Sequence, residues 1–162
     1  MDKAQERRRM GLLEIGATIG GAKMVGVVDS GSSENIISEE MAEATGLPII
    51  PLEEDSFPVN GVSGPPVRCK YWIPNAEIYV TEKKLLTKGD LFIVEGIKVD
   101  LLYGRPWMVR NRSSIQEQDR GTYVSWFSDN VPYELNVTKS KAGWWLKDRK
   151  GEVEFCKTEN EE

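Results

Sequence analysis

The chain has 162 residues, 40% hydrophobic and 29% charged, ordinary globular material for one domain with an appendage. It contains no histidine. That excludes Ser-His-Asp triads, Cys-His dyads and histidine-ligated metal sites, and leaves proton transfer to carboxylates, lysines or tyrosines. Lys+Arg 21 against Asp+Glu 26 gives a net charge of -5, the wrong sign for a dedicated nucleic-acid binder.

Cys69 and Cys156 are far apart and belong to no Cys-x-x-Cys pair. They are read as buried, reduced thiols of an intracellular protein, and neither a metal nor a cofactor is expected. No apolar run approaches the ~20 residues of a membrane span. The basic Arg7-Arg8-Arg9 lacks the apolar stretch that a signal peptide places after such residues, so it reads as a solvated tail. The expected location is intracellular, cytoplasmic or particle-associated, with no membrane and no nucleic-acid partner.

After a charged tail over residues 1–10, Leu13 to Ile19 alternates apolar with small or polar residues, as a half-buried strand does. Gly20-Gly21 permits a tight turn, and Met24 to Val28 returns as a more buried strand that ends at Asp29-Ser30-Gly31. A short strand at Ile36-Ile37 precedes a short helix. Ser38 caps it, Glu39 and Glu40 suit its first turn, and Gly46 stops it. Asn60-Gly61-Val62-Ser63-Gly64 is rich in residues that accept positive φ, the expected tip of a hairpin.

Strands are predicted over Val67 to Ile73, Ala76 to Val80 and Leu91 to Val94, with Lys83-Lys84 in an exposed loop or strand edge. Lys98 to Tyr103 runs into Gly104-Arg105-Pro106-Trp107-Met108. Beyond Ile115, turn signals at Asp119-Arg120-Gly121, Ser128-Asp129-Asn130, Lys141-Ala142-Gly143 and Lys150-Gly151 divide a short antiparallel meander. Trp107, Trp126, Trp144 and Trp145 are expected in the core or on strand faces. An acidic tail closes the chain over 158–162.

The chemistry converges on Asp29. It ends an apolar strand, where an ionisable group is costly unless it has a partner or a task. Ser30 adds a hydroxyl that can bond neighbouring backbone, and Gly31 lets other backbone approach closely. Two further motifs follow in order: the glycine-rich Asn60-Gly61-Val62-Ser63-Gly64, and the apolar Val99-Asp100-Leu101-Leu102-Tyr103 ending in Gly104-Arg105.

With Val27-Val28-Asp29-Ser30-Gly31-Ser32, these segments resemble the retropepsin family, the aspartic proteases of retroviruses and long-terminal-repeat retrotransposons. The resemblance covers residues 12 to 109. It implies a mostly β retropepsin-like closed barrel (the acid protease fold) over 11–115, with one or two short helices; the antiparallel β meander read from the turn signals over 116–157 is an extra C-terminal piece that the resemblance does not reach. It implies a catalytic carboxylate at Asp29, with Ser30 bracing the loop across subunits and Gly31 admitting substrate backbone. Ser32, Gly61, Val62, Ser63 and Gly64 would meet substrate, the last four as a mobile flap. Gly104 and Arg105 would brace the subunit near a dimer interface.

Where retroviral loops carry an acid two positions after the glycine, this chain has Ser33, and its acid is Glu34. Only one Asp-Ser/Thr-Gly is present, and Asp119-Arg120-Gly121 reads as a hairpin turn. The implied enzyme is therefore a symmetric homodimer, an aspartic endopeptidase acting on a peptide or polyprotein. The alternative is a non-catalytic retropepsin-like module for dimerisation or peptide binding.

Overall fold

In the computed structural model, residues 12–53, 57–59, 67–138 and 155–157 are described. The first hairpin sets the pattern. Strand β1 (Leu13–Ile19) pairs antiparallel with β2 (Ala22–Val28) across Gly20 and Gly21, whose φ values of 58° and 91° demand glycine. Its inward side chains Ile15, Ala17 and Ile19 are fully buried.

Strand β3 (Ile36–Ser38) leads into helix α1 (Glu39–Thr45). Ser38 Oγ accepts the Met41 N–H at 3.2 Å, and Gly46 ends the helix at φ 69°, as the local signals predict. Strand β4 (Ile50–Pro51) follows, then a hairpin of β5 (Phe57–Val59) and β6 (Val67–Cys69) paired Phe57↔Cys69 and Val59↔Val67. The expected hairpin tip, Asn60 to Gly64, lies outside the described residues, as do Trp144 and Trp145, the Lys141 and Lys150 turns and both tails.

Two ten-residue strands form the back of the molecule. β7 (Tyr71–Val80) is continuous where the sequence predicts two strands. A bulge between Ile73 and Ala76 absorbs Pro74 and the positive-φ Asn75 without ending the strand. β8 (Leu85–Val94) begins six residues before the predicted Leu91, because Thr87 and Gly89 point inward while Lys88 and Asp90 face out. Lys83 and Lys84 sit exposed in the turn between them.

Strand β9 (Leu101–Tyr103) then inserts between two earlier strands, parallel to β2 and antiparallel to β3, while β3 runs parallel to β8. The order β1-β2-β9-β3-β8-β7 returns to β1 through Ala17↔Val80 and Thr18↔Tyr79, closing a six-strand barrel. Helix α2 (Arg105–Arg110) follows β9 directly, with Pro106 in its first turn.

The C-terminal meander is a second, antiparallel sheet of β10 (Ser114–Gln118), β11 (Gly121–Ser128), β12 (Val131–Asn136) and β13 (Phe155–Lys157). Asp119-Arg120 is indeed its first tight turn, and Asp129-Asn130, both at positive φ, is the second. Val124, Trp126 and Leu135 of this sheet, with Val137 just beyond β12, are buried in the same apolar cluster as the barrel residues Ile15, Ile78 and Leu91. The architecture is the mostly β, closed-barrel one anticipated, with two short helices.

Candidate active site

Asp29 leaves the end of β2 half-buried, and its N–H donates to the Tyr103 carbonyl at 2.9 Å. Its Oδ1 accepts the Gly31 N–H at 2.8 Å, and its carbonyl accepts the Ser32 N–H at 3.1 Å. The carboxylate is thus held by the turn that follows it. A Cβ on Gly31 would stand 3.2 Å from that same oxygen, so the small residue preserves the contact. Ser30 is exposed, and its hydroxyl has no partner among the described residues.

Ser32 is fully buried and its Oγ donates to the Glu34 carbonyl at 2.7 Å, so its side chain braces the loop from inside.

The Gly-Arg segment meets this loop through backbone. Arg105 N–H donates to the Ser32 carbonyl at 3.0 Å, and a Cβ on Gly104 would lie 2.6 Å from the Glu34 carbonyl carbon. The Arg105 side chain is exposed and forms no ion pair among the described residues. Glu34 is half-buried, and burial, with the nearby Asp90 charge second, raises its carboxyl above the ordinary 4.5.

The residue that joins the pieces is Asn35, which the sequence does not single out. It is 1% exposed. Its Oδ1 accepts the N–H groups of both Gly104 and Trp107 at 3.0 Å, and its Nδ2 donates to the Asp90 carbonyl at 3.1 Å. Its own carbonyl accepts the Phe92 N–H at 2.9 Å. One side chain therefore caps α2 and ties the Asp29 loop to β8. The available signal was a polar amide set directly against the apolar Ile36-Ile37 pair.

Behind the loop, Tyr103 and Trp107 pack with ring centroids 4.5 Å apart. Tyr103 Oη donates to the Ile15 carbonyl at 3.1 Å, and burial pushes its hydroxyl far above the ordinary tyrosine range. Trp107 Nε1 donates to Thr87 Oγ1 at 2.9 Å, which donates on to the Ile78 carbonyl at 2.8 Å. Gly26 leaves room for this cluster, since a Cβ there would run into the Tyr103 ring.

The expected flap residues Gly61, Val62, Ser63 and Gly64 lie outside the described residues, between the paired arms β5 and β6. Trp72 stacks on Phe92 at 5.4 Å, while its neighbour Tyr71 is 48% exposed. Cys69 is buried, its Sγ directed at the Tyr71 and Ile93 carbonyls, and burial raises its thiol. Among the described residues no cluster of three or more Cys, Asp or Glu side chains is arranged to hold a metal ion. No helix among them is long and apolar enough to cross a membrane.

No protein-family profile and no curated protein matches this sequence. Among solved structures, the chain is similar to the retroviral protease-like domain of Ddi1 from Leishmania major. The TM-score is 0.51 at 17% identity, over 75% of this chain and 90% of that one. At that identity the likeness speaks of architecture alone. Together with the closed six-strand barrel, it establishes that the chain has a retropepsin-like fold.

Proposed function

We propose that the chain is one half of an aspartic endopeptidase, a retropepsin-like hydrolase that acts as a symmetric homodimer on a peptide or polyprotein. The observation that carries this reading is Asp29 itself. It is a half-exposed carboxylate directly after β2 of a retropepsin-like barrel, with one oxygen fixed by the Gly31 N–H. Ser30, exposed and without a hydroxyl partner among the described residues, is placed to brace the opposite loop.

In the dimer, Asp29 and its mate from the partner subunit meet on the two-fold axis. Two carboxylates held that close share a proton. The ionised one takes a proton from a water while the protonated one polarises the scissile carbonyl. The water oxygen bonds to the carbonyl carbon, a proton passes to the amide nitrogen, and the C–N bond breaks. No imidazole is needed, in keeping with a chain that has none. Extended substrate adds as a strand beneath Gly61, Val62, Ser63 and Gly64 of the two flaps. The form Gly-Arg-Pro-Trp-Met supports a retrotransposon-type enzyme that processes its polyprotein in the cytoplasm or a particle.

The test is cleavage of a peptide library at acidic to neutral pH by wild type and Asp29→Asn, with sedimentation of both. The expected result is dimeric wild type that cuts and a dimeric variant slowed by several orders of magnitude. A wild type that dimerises without cutting leaves a dimerisation or peptide-binding module, and unchanged cleavage in Asp29→Asn removes the assignment altogether.

A further inference from the structure

A cleft of about 260 Å³ opens where the C-terminal end of α2 meets β8 and the β11–β12 turn. Lys88, Arg110 and Arg112 contribute three cations to it, against one carboxylate, Asp129. The Arg112 guanidinium lies 3.8 Å over the Phe127 ring and donates to Asn130 Oδ1 at 3.3 Å. Arg110 donates to Asn75 Oδ1 at 2.9 Å. Both guanidinium groups thus rest on neutral partners, and neither forms an ion pair among the described residues. An uncompensated basic cleft in a chain of net charge -5 is a place for an anion.

The same sheet directs an acidic segment at it. Strand β13 pairs antiparallel with β12 in the register Leu135↔Phe155, Glu134↔Cys156, Tyr133↔Lys157. Along β12 this direction leads from the partner of Lys157 toward Val131 and the Asp129-Asn130 turn that borders the cleft. The five residues that follow Lys157 are Thr158-Glu159-Asn160-Glu161-Glu162. Extended, they reach roughly 16 Å, against about 10 Å for the three residue steps from Tyr133 to Asn130.

We propose that the acidic segment 158–162 docks in this cleft, its glutamates pairing with Arg110, Arg112 and Lys88. The docked segment fastens the edge of the C-terminal sheet to α2 and β8, at the opposite end of α2 from Gly104. This inference is independent of whether the barrel is catalytic.

The experiment uses the full chain carrying Cys156→Ser and a nitroxide on Asn160→Cys; Cys69 is buried and does not compete for the label. The amide signals of Arg112, Asp129 and Asn130 are expected to broaden at about 0.01 M salt. They recover at about 1 M, where the screening length has fallen from about 30 Å to about 3 Å. Arg110→Gln/Arg112→Gln, with an unchanged melting temperature for the barrel, is expected to show the recovered signals even at low salt. Broadening that is absent at low salt, or that survives removal of both arginines, overturns the proposal. So does broadening that passes to an unlabelled copy in a mixed sample, which assigns the cleft to a second chain. Inorganic phosphate provides the last arm. If it shifts the Arg112 signals of wild type as strongly as those of a chain ending at Lys157, the cleft is open and the segment does not occupy it.

Discussion

Asn35 and Gly104 decide the shape of the loop that presents Asp29. Replacing Asn35 by leucine keeps the volume and leaves the Gly104 and Trp107 N–H groups buried without an acceptor. Each such orphan costs about 1–3 kcal/mol. Urea denaturation of Asn35→Leu should show a loss in that range or above. Gly104→Ala forces a methyl group into the Glu34 carbonyl, and a loss of about 1–3 kcal/mol is expected from that overpacking.

Glu34 gives the loop a pH signature. Its folded carboxyl binds a proton more tightly than the unfolded one, so its contribution is fully present below 4.5 and declines as pH rises through the raised folded value. The melting temperature of Glu34→Gln should fall less than that of wild type over this interval. Equal slopes would refute the assignment. Asp29-Ser30-Gly31 and Gly104-Arg105 were legible because each is a local string with its own chemistry. Asn35 was not, because its partners lie 55 to 72 positions away.

Among the elements, α1 was legible to the residue at both ends because Ser38 and Gly46 act within one turn of chain. Helix α2 is different. Six residues are too few to be helical alone. It exists because Asn35 caps its first turn and Trp107 is inserted beneath it, anchored to Thr87 Oγ1. Thr87→Val removes that anchor at almost constant volume. It should cost about 1–3 kcal/mol and loosen α2, seen as faster hydrogen exchange at the Asn111 N–H that closes the helix on the Trp107 carbonyl. The bulge in β7 and the early start of β8 escaped the period-2 pattern for related reasons. Pro74-Asn75 reads as a strand end when its partner is unseen, and Lys88 and Asp90 read as loop residues until the outward face of β8 is known.

At the scale of the molecule, the barrel and the C-terminal sheet share buried apolar residues. Trp126→Ala, although in β11, should lower the stability of the barrel by about 3–5 kcal/mol. Circular dichroism and tryptophan fluorescence should then trace one coincident unfolding transition. Two separated transitions would show that the sheet is energetically its own unit. The sequence announced this sheet by its turn signals but was silent on where it packs, since alternation names a buried face without naming what buries it.

The insertion of β9 between β2 and β3 has a consequence in time. During synthesis Asp29 emerges long before Leu101–Tyr103, the strand whose carbonyl receives its N–H, and before the Gly104 and Trp107 amides that Asn35 must hold. At about 5–20 residues per second, that interval lasts on the order of 4–16 seconds. Until it ends, the loop has neither its neighbouring strand nor its cap. A ribosome must deliver nearly the whole barrel before the loop that carries Asp29 is fixed against its neighbours, which builds a delay between translating Asp29 and any chemistry that depends on it.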